Sequence, residues 1–121
     1  MRVNQPVTQV ETLLPKDQFI YSRTDLKGII VEANQAFADI SAYTREEMIG
    51  QPHNLVRHPD MPPQAFEDMW RDLKAGRPWR GLVKNRRKDG GFYGGVRIAS
   101  PGRENGKRVG FQSVRTFPER P

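Results

Sequence analysis

The residues best suited to chemistry in this chain lie close together, between positions 51 and 63. Both histidines, His53 and His58, fall in this stretch, together with Arg57 and four of the chain's ten prolines. Each proline fixes its backbone φ near about −65°, so the segment is stiffer than an ordinary polar loop. A stiff polar segment can hold a ligand. The sequence therefore predicts a ligand-holding segment here; the alternative is a proline-rich connector whose Arg57 and His58 are simply solvated.

The composition limits the kinds of protein this chain can be. With 121 residues it is expected to form one domain with its own core. It has no cysteine, which excludes disulfides, thiolate metal sites and a cysteine photoadduct. It also has no apolar run near the roughly 20 residues of a membrane span, and no signal-peptide core at its start. We expect a cytoplasmic domain.

The net charge is +6, from 20 Lys and Arg against 14 Asp and Glu. An excess of this size favours an anionic partner such as a phosphate-bearing ligand, an anionic membrane surface or nucleic acid. The densest basic cluster, residues 84–88, is one short run with no recognised nucleic-acid motif around it. Nucleic acid is therefore not expected as a partner.

The first half of the chain predicts an arm, a hairpin and short helices. Residues 1–18 are expected to form an irregular arm, too polar to be a core element by itself, that docks on the domain or on a partner. Residues 19–24 and 28–33 predict an antiparallel hairpin. Asn34 is a candidate helix cap. Residues 44–47, Thr-Arg-Glu-Glu, form a capping box that predicts a second short helix.

The second half predicts one long helix followed by strands. The helix is expected over residues 62–75, with an apolar face at positions i, i+3, i+4 and i+7 that we interpret mostly as core. That face consists of Phe66, Met69, Trp70 and Leu73. Strands are expected over residues 79–88, 92–100 and 107–116. Gly94 and Gly95 are expected to weaken the second of these or to mark a bulge, and Pro101 to end it.

This order of elements predicts the fold class. Strands segregated from helices favour an α+β fold, here a five-stranded antiparallel sheet with helices packed on one face. A pocket is expected between the sheet and the helices, with residues 51–63 at its rim. Residues 19–117 would form the domain, and residues 118–121 a C-terminal tail.

The same order is that of a PAS domain, and the sequence match is more specific than the order alone. The run Gly-Gln-Pro-His-Asn-Leu-Val-Arg-His-Pro-Asp-Met-Pro at residues 50–62 resembles the flavin-binding PAS domain of the bacterial aerotaxis receptor family. Further matches are Ala65-Phe66, Asp68-Met69-Trp70, Pro78-Trp79 and Val83-Lys84-Asn85-Arg86. The resemblance covers nearly the whole chain.

The resemblance implies a redox sensor and not an enzyme. Members of the family hold FAD non-covalently in a cytoplasmic domain of an inner-membrane receptor and signal to a chemotaxis transducer. The implied partners are FAD, other domains of the same receptor including its membrane-proximal signalling segment, and a second copy of the domain. The sequence itself shows no nucleophile–histidine–acid arrangement, phosphate-cradling glycine loop or metal-ligand cluster.

Three of the implied cofactor-binding residues lie in the proline-rich stretch. The pyrophosphate of FAD needs positive charge or amide donors, which Arg57 can supply. His58 is a neighbouring donor or stacking ring. Asp60 is expected to orient Arg57 or to cap the long helix.

Four further residues are expected at the flavin ring. Trp79 suits the flat apolar wall that the ring needs. Asn85 lies six residues later, on the same face of the strand, and its amide can both donate to and accept from the ring edge. Asn34 is a second candidate for the ring edge, with helix capping as its alternative role. Tyr93 is a weaker candidate that suits sheet packing equally well.

The chain departs from the family pattern at two places. Gly94 and Gly95 stand where the family usually has a bulky Trp-Val pair, which is expected to loosen the sheet or open the pocket wall. Ala42 stands where the family favours glycine. If that position requires a positive φ, alanine costs about 1 kcal/mol there.

Two other functions are compatible with the same fold. A haem-based oxygen sensor would use His53 or His58 as an axial ligand, although their spacing of five is not diagnostic. A cofactor-free interaction module would only dimerise or dock. The identity of any bound cofactor distinguishes these functions from a flavin sensor.

Overall fold

The computed structural model describes residues 7–14 and 17–116. The strands are β1 Ile20–Asp25, β2 Ile30–Ala33, β3 Trp79–Arg86, β4 Phe92–Glu104 and β5 Lys107–Thr116. The helices are α1 Gln35–Ser41, α2 Arg45–Met48, a 3-10 turn at His53–Val56 and α3 Pro63–Lys74. The predicted tail at residues 118–121, residue 117 of the predicted domain, and residues 1–6, 15 and 16 of the predicted arm lie outside the described residues.

The strands form a five-stranded sheet in the order β2-β1-β5-β4-β3, and every neighbouring pair is antiparallel. Helix α1 packs against β1, and α3 packs against β3 and β4. The inner face of the sheet carries the buried residues of each strand, as in the alternating pattern of β1. The α+β prediction, with helices on one face, is confirmed.

Local signals in the sequence explain where the helices begin. Asn34 caps α1, because its side-chain oxygen accepts a hydrogen bond from the amide of Phe37. The predicted capping box is present: Thr44 and Glu47 each accept from the other's backbone amide. Helix α3 has a proline at its start, where a missing amide costs nothing. These predictions are confirmed.

One prediction about β4 is wrong. The strand does not end at Pro101 but continues to Glu104, because β3 begins at Trp79 opposite Ala99 and does not extend alongside Pro101. Of the two alternatives given for Gly94 and Gly95, the bulge is absent, since both residues keep register with β3. Glycine suits position 95 because a Cβ atom there would lie 2.7 Å from the backbone oxygen of Thr116.

The described part of the N-terminal arm docks on this domain. The amides of Thr8 and Thr12 donate to the carbonyls of Gly90 and Phe92, so the arm adds a short parallel pairing beside the β3–β4 turn. Leu14 is only 3% exposed and belongs to the main apolar cluster. The arm was expected to be too polar to be a core element by itself, and Leu14 joins the core of the domain on which the arm docks.

Ala42 occupies the backbone conformation that favours glycine. It ends α1 with φ 63° and ψ 25°, and its amide donates to the carbonyls of Ala38 and Asp39. A left-handed conformation brings the Cβ of an L-residue too close to the backbone, at a cost of roughly 1–2 kcal/mol. Position 42 therefore has the positive φ at which alanine was expected to be less stable than glycine.

We predict that Ala42→Gly raises the free energy of unfolding by about 1 kcal/mol, because glycine removes the Cβ from the strained position. Urea denaturation followed by circular dichroism would measure the change. Ala36→Gly in the body of the same helix is the matched control and should lower stability by about 0.5–1 kcal/mol. A destabilising effect of Ala42→Gly would contradict this explanation.

Candidate functional site

Backbone bridges hold the proline-rich segment against the sheet. Pro52 pairs with Ile29 beside β2, and Arg57 pairs with Asn85 of β3, both in antiparallel fashion. The amide of His53 also donates to the carbonyl of Gly28 at 2.9 Å. The segment therefore spans from one edge strand of the sheet to the other, as the rim position predicted from the sequence requires.

Beneath this segment lies a cavity of about 710 Å³, within the range of ligand-binding sites in proteins. Its walls are α3, the segment from Pro52 to Arg57 and the inner face of β3, β4 and β5. Helix α3 contributes mainly apolar side chains: Phe66, Met69, Trp70 and Leu73. The face predicted mostly as core therefore also forms one wall of the cavity.

Two predicted cofactor-binding residues, Arg57 and Asn85, line this cavity together. The Arg57 guanidinium lies 4.9 Å from the centre of the Phe66 ring and donates to the carbonyl of Met61. The Asn85 side chain is 5% exposed, and its Nδ2 has no hydrogen-bond partner among the described residues. A buried amide donor without a partner at a cavity wall is suited to a ligand acceptor.

His58 and Asp60 do not line the cavity. His58 is buried with its ring edge against Phe92, and its Nδ1 accepts a hydrogen bond from the amide of Asp60 at 3.0 Å. Burial lowers the pKa of His58, so the ring is neutral and carries its proton on Nε2. The Asp60 carboxylate is exposed and pairs with Lys84 at 2.9 Å. His58 and Asp60 therefore stabilise the proline-rich segment beside the cavity, through their own hydrogen bond and the ion pair to Lys84.

Asn34 and Tyr93 also lie elsewhere. The Asn34 oxygen accepts from the amides of Tyr21 and Phe37, and its nitrogen donates to the carbonyl of Phe19. Three of its hydrogen bonds therefore go to backbone groups, one of them as the cap of α1, which matches the capping alternative for Asn34. Tyr93 is buried, and its hydroxyl is 2.7 Å from the Ser41 hydroxyl, which joins β4 to α1. This contact matches the packing alternative for Tyr93.

Trp79 does not line the cavity either. It is on the same face of β3 as Asn85, as the alternation predicted, but its ring lies over Gly81 of its own strand. It packs against the apolar cluster of Met69, Leu73 and Phe111. The aromatic surface toward the cavity comes instead from Phe66, Trp70 and Phe111, the last two in edge-to-face contact.

His53 is a cavity residue that the sequence singled out only as a haem ligand. Its ring stacks on Phe37, and its Nε2 lies 3.2 Å from the Arg115 guanidinium and 3.1 Å from the Ser22 hydroxyl. Arginine can only donate, so Nε2 is the unprotonated nitrogen and the Ser22 hydroxyl donates to it as well. Burial, together with the neighbouring Arg97 and Arg115, holds the pKa of His53 well below its usual range.

Sequence reasoning missed two buried arginines at the inner end of the site. Arg97 lines the cavity and donates through Nε and Nη2 to the Ser113 hydroxyl, at 3.1 and 3.0 Å. Arg115 lies behind His53 and stacks on Phe37. The signal was present in the alternation of β4: counting in steps of two from Tyr93 places Arg97 on the inner face.

The fold and the site identify the class of protein to which this chain belongs. The family model described as "PAS fold" matches residues 30–115, and the chain belongs to this family. A light-oxygen-voltage domain solved in work with a flavin analogue superposes with a TM-score of 0.72 at 24% identity, covering 84% of this chain and 76% of that one. This structural likeness shows the fold.

Curated relatives confirm the resemblance to the aerotaxis receptor family. The aerotaxis receptor of Escherichia coli (strain K12) is 52% identical over 110 residues, which are 91% of this chain and 22% of that protein. A nitrogen fixation regulatory protein of Klebsiella oxytoca is 32% identical over 82 residues, 68% of this chain and 17% of that protein. The chain thus spans about a fifth of these relatives. In the described part of the chain, no helix is long and apolar enough to cross a membrane.

The neutral state of His53 predicts a dependence of stability on pH. The unfolded chain takes up a proton near pH 6.5, whereas the folded ring resists protonation. Stability is therefore complete above about pH 6.5 and falls as the pH drops below it, by at most about 1.4 kcal/mol per pH unit for each histidine. Urea denaturation between pH 8 and pH 5.5 would measure this slope.

His53→Gln should flatten that slope more than His58→Gln, because the His53 pKa is lowered further. The comparison is matched, since each variant removes one buried imidazole and keeps a polar side chain. A wild-type protein whose stability does not change between pH 8 and pH 5.5 would show that His53 is not held neutral.

Proposed function

We propose that this chain is a redox-responsive sensory domain that binds FAD non-covalently in the cavity under the proline-rich segment. When bound, the flavin supplies reversible electron uptake. The domain would then report the redox state to other domains of the same receptor, in the cytoplasm, and through them to a chemotaxis transducer. It would act by binding rather than as an enzyme. The observation that carries the proposal is the cavity itself, with the buried Nδ2 of Asn85 in its wall and no hydrogen-bond partner for that atom among the described residues.

The shape and lining of the cavity support a flat heterocycle. Phe66 and Trp70 of α3 present aromatic surface on one side, and the sheet presents Phe111 on the other, together with the polar side chains of Asn85, Arg97 and Ser113. Isoalloxazine needs an apolar surface for its ring system and a few hydrogen bonds at its edge. The Nδ2 of Asn85 is a donor for such an edge. The 52% identity to an aerotaxis receptor supports the same ligand.

The charges around the cavity support a ligand with phosphates. Lys27 and Lys74 are exposed and line the cavity, and Arg57 lies at the rim between sheet and helix. The two exposed lysines are in positions where a pyrophosphate could keep its water shell, and the buried Arg57 could add a charge-assisted hydrogen bond. Helix α3 and the proline-rich segment thus provide a mouth suited to the nucleotide part of FAD.

The geometry favours flavin over haem. The Nε2 atom of His53 accepts hydrogen bonds from Arg115 and Ser22, so iron would have to displace both donors. His58 lies outside the cavity lining. Neither histidine offers a free lone pair to the cavity.

The direct test is the absorbance spectrum of the purified domain, with mass spectrometry of the supernatant after denaturation. We expect a flavin spectrum and the mass of FAD, or uptake of added FAD by protein that lost it during purification. A Soret band with bound iron would favour the haem alternative. Protein that takes up neither cofactor would identify a cofactor-free interaction module.

We predict that Asn85→Ala weakens FAD binding by at least about fivefold, since removing one hydrogen bond to a buried polar group costs about 1–3 kcal/mol. Fluorescence titration with FAD would measure the change in Kd. Gln112→Ala, which removes an amide from the outer face of β5, is the matched control and should leave Kd unchanged. Equal effects of both substitutions would argue against Asn85 as a ligand contact.

A further inference from the structure

Arg97 and Arg115 face each other across two central strands of the sheet. They are cross-strand partners in the β4–β5 ladder, and both point to the inner face. Arg97 is 8% exposed and Arg115 is 1% exposed. Like charges placed directly opposite each other on neighbouring strands are destabilising, and burial increases that cost.

In the described part of the chain, no carboxylate compensates these two charges. The ion pairs there join the other cations, such as Lys84, Arg87 and Lys88, to surface acids. Two buried nitrogens of Arg115, Nε and Nη1, have no hydrogen-bond partner among the described residues. A buried cation without a partner is expensive, so it is retained where something else supplies the opposite charge.

The groups around the two arginines are neutral. Burial raises the pKa of Tyr93, so its phenol keeps its proton. Burial also keeps the His53 ring neutral. Burial and the neighbouring Arg115 lower the pKa of Arg97 to about 9, which still leaves the guanidinium charged at neutral pH. The inner end of the cavity therefore carries a positive charge close to two units with no counter-ion from the described residues.

We propose that Arg97, supported by Arg115 and His53, is a binding residue for negative charge on the ligand's ring system, and that it favours the reduced, anionic flavin over the oxidised, neutral one. This inference rests on the proposed function. Two electrons and one proton convert the neutral oxidised ring into a ring with one negative charge. The electrons come from an external reductant, which is dithionite in the test below, and the proton comes from solvent.

The depth of the arginines favours the ring over the phosphates as the source of the charge. Arg97 is almost fully buried, whereas Lys27 and Lys74 line the same cavity and are exposed. A pyrophosphate is strongly hydrated and suits the exposed lysines, while the ring is the part of a flavin that can be enclosed. The inner wall would therefore meet the ring.

The test compares oxidised and dithionite-reduced flavins under anaerobic conditions, in wild-type protein and in Arg97→Gln. Riboflavin, FMN and FAD are each titrated, because riboflavin has the ring and lacks phosphate. The preference for the reduced form is the Kd of the oxidised ligand divided by the Kd of the reduced one. We expect Arg97→Gln to lower this ratio at least tenfold for all three ligands. That change corresponds to about 30 mV in the midpoint potential of a two-electron couple.

The controls separate charge from structure. Arg97→Lys keeps the charge and should keep most of the preference. Arg97→Met removes the charge with an apolar chain and should behave like Arg97→Gln, which covers the case of a glutamine variant that folds poorly. Arg80→Gln removes an exposed arginine from the outer face of β3 and should change nothing.

Two results would overturn the proposal. If Arg97→Gln leaves the preference for reduced flavin unchanged, the ring charge does not lie at Arg97. If Arg97→Gln weakens the binding of FMN and FAD in both oxidation states but leaves the binding of riboflavin unchanged, Arg97 binds a phosphate. Wild-type protein that binds no flavin in either state would instead refute the proposed function on which this inference rests.

Discussion

The attachment of the proline-rich segment to the sheet is the constraint on which the cavity depends. Prolines cannot donate backbone hydrogen bonds, so the residues beside them must make the connections. Gly50 donates to the carbonyl of Ile30, and the amide of Ile30 donates to the carbonyl of Gln51. Farther along the segment, Arg57 pairs with Asn85. Pro52 stiffens the segment between these attachments, and Pro59, Pro62 and Pro63 stiffen it between Arg57 and α3, which keeps a space open beneath it.

The interior below that segment is unusual in its charge. A domain of this size has a stability of only about 5–15 kcal/mol, so it cannot bury many uncompensated cations. His53 limits the cost, because a neutral imidazole accepts a hydrogen bond from Arg115 and adds no charge of its own. Ser113 does the same for Arg97 with its hydroxyl oxygen. The site thus holds two cations with neutral acceptors, which leaves their charge available to a ligand.

Much of the fold could be predicted from the sequence because its signals are local. The capping box at Thr44, the apolar face of α3 and the turn glycines act within a few residues, and they place the elements correctly. The effect of Pro101 was predicted wrongly because it depends on a distant fact, that the ladder between β3 and β4 begins at Trp79 and Ala99. The burial of Leu14 could not be predicted, because it depends on where the arm docks.

The site was harder to predict than the fold, since cavity lining depends on which way a side chain turns after its backbone position is set. Alternation placed Trp79 and Asn85 on one face of β3, yet the Trp79 ring turns over Gly81 while the Asn85 amide borders the cavity. Asn34 was expected at the ring edge, but its amide makes three hydrogen bonds to backbone groups and does not line the cavity. Arg97 shares its face of β4 with Tyr93, and the same alternation would have revealed it.

The two walls of the cavity differ in how they can respond to a ligand. The contacts that α3 offers are mainly apolar, and apolar contacts depend little on the charge of what they touch. The sheet offers Arg97, with Arg115 and His53 behind it, and the hydrogen bonds of this group join β1, β5 and the proline-rich segment. A ligand can shift a conformational equilibrium only through contacts that differ between its states. A change in ligand charge would therefore act on the sheet and the segment first, and α3 would follow only through packing.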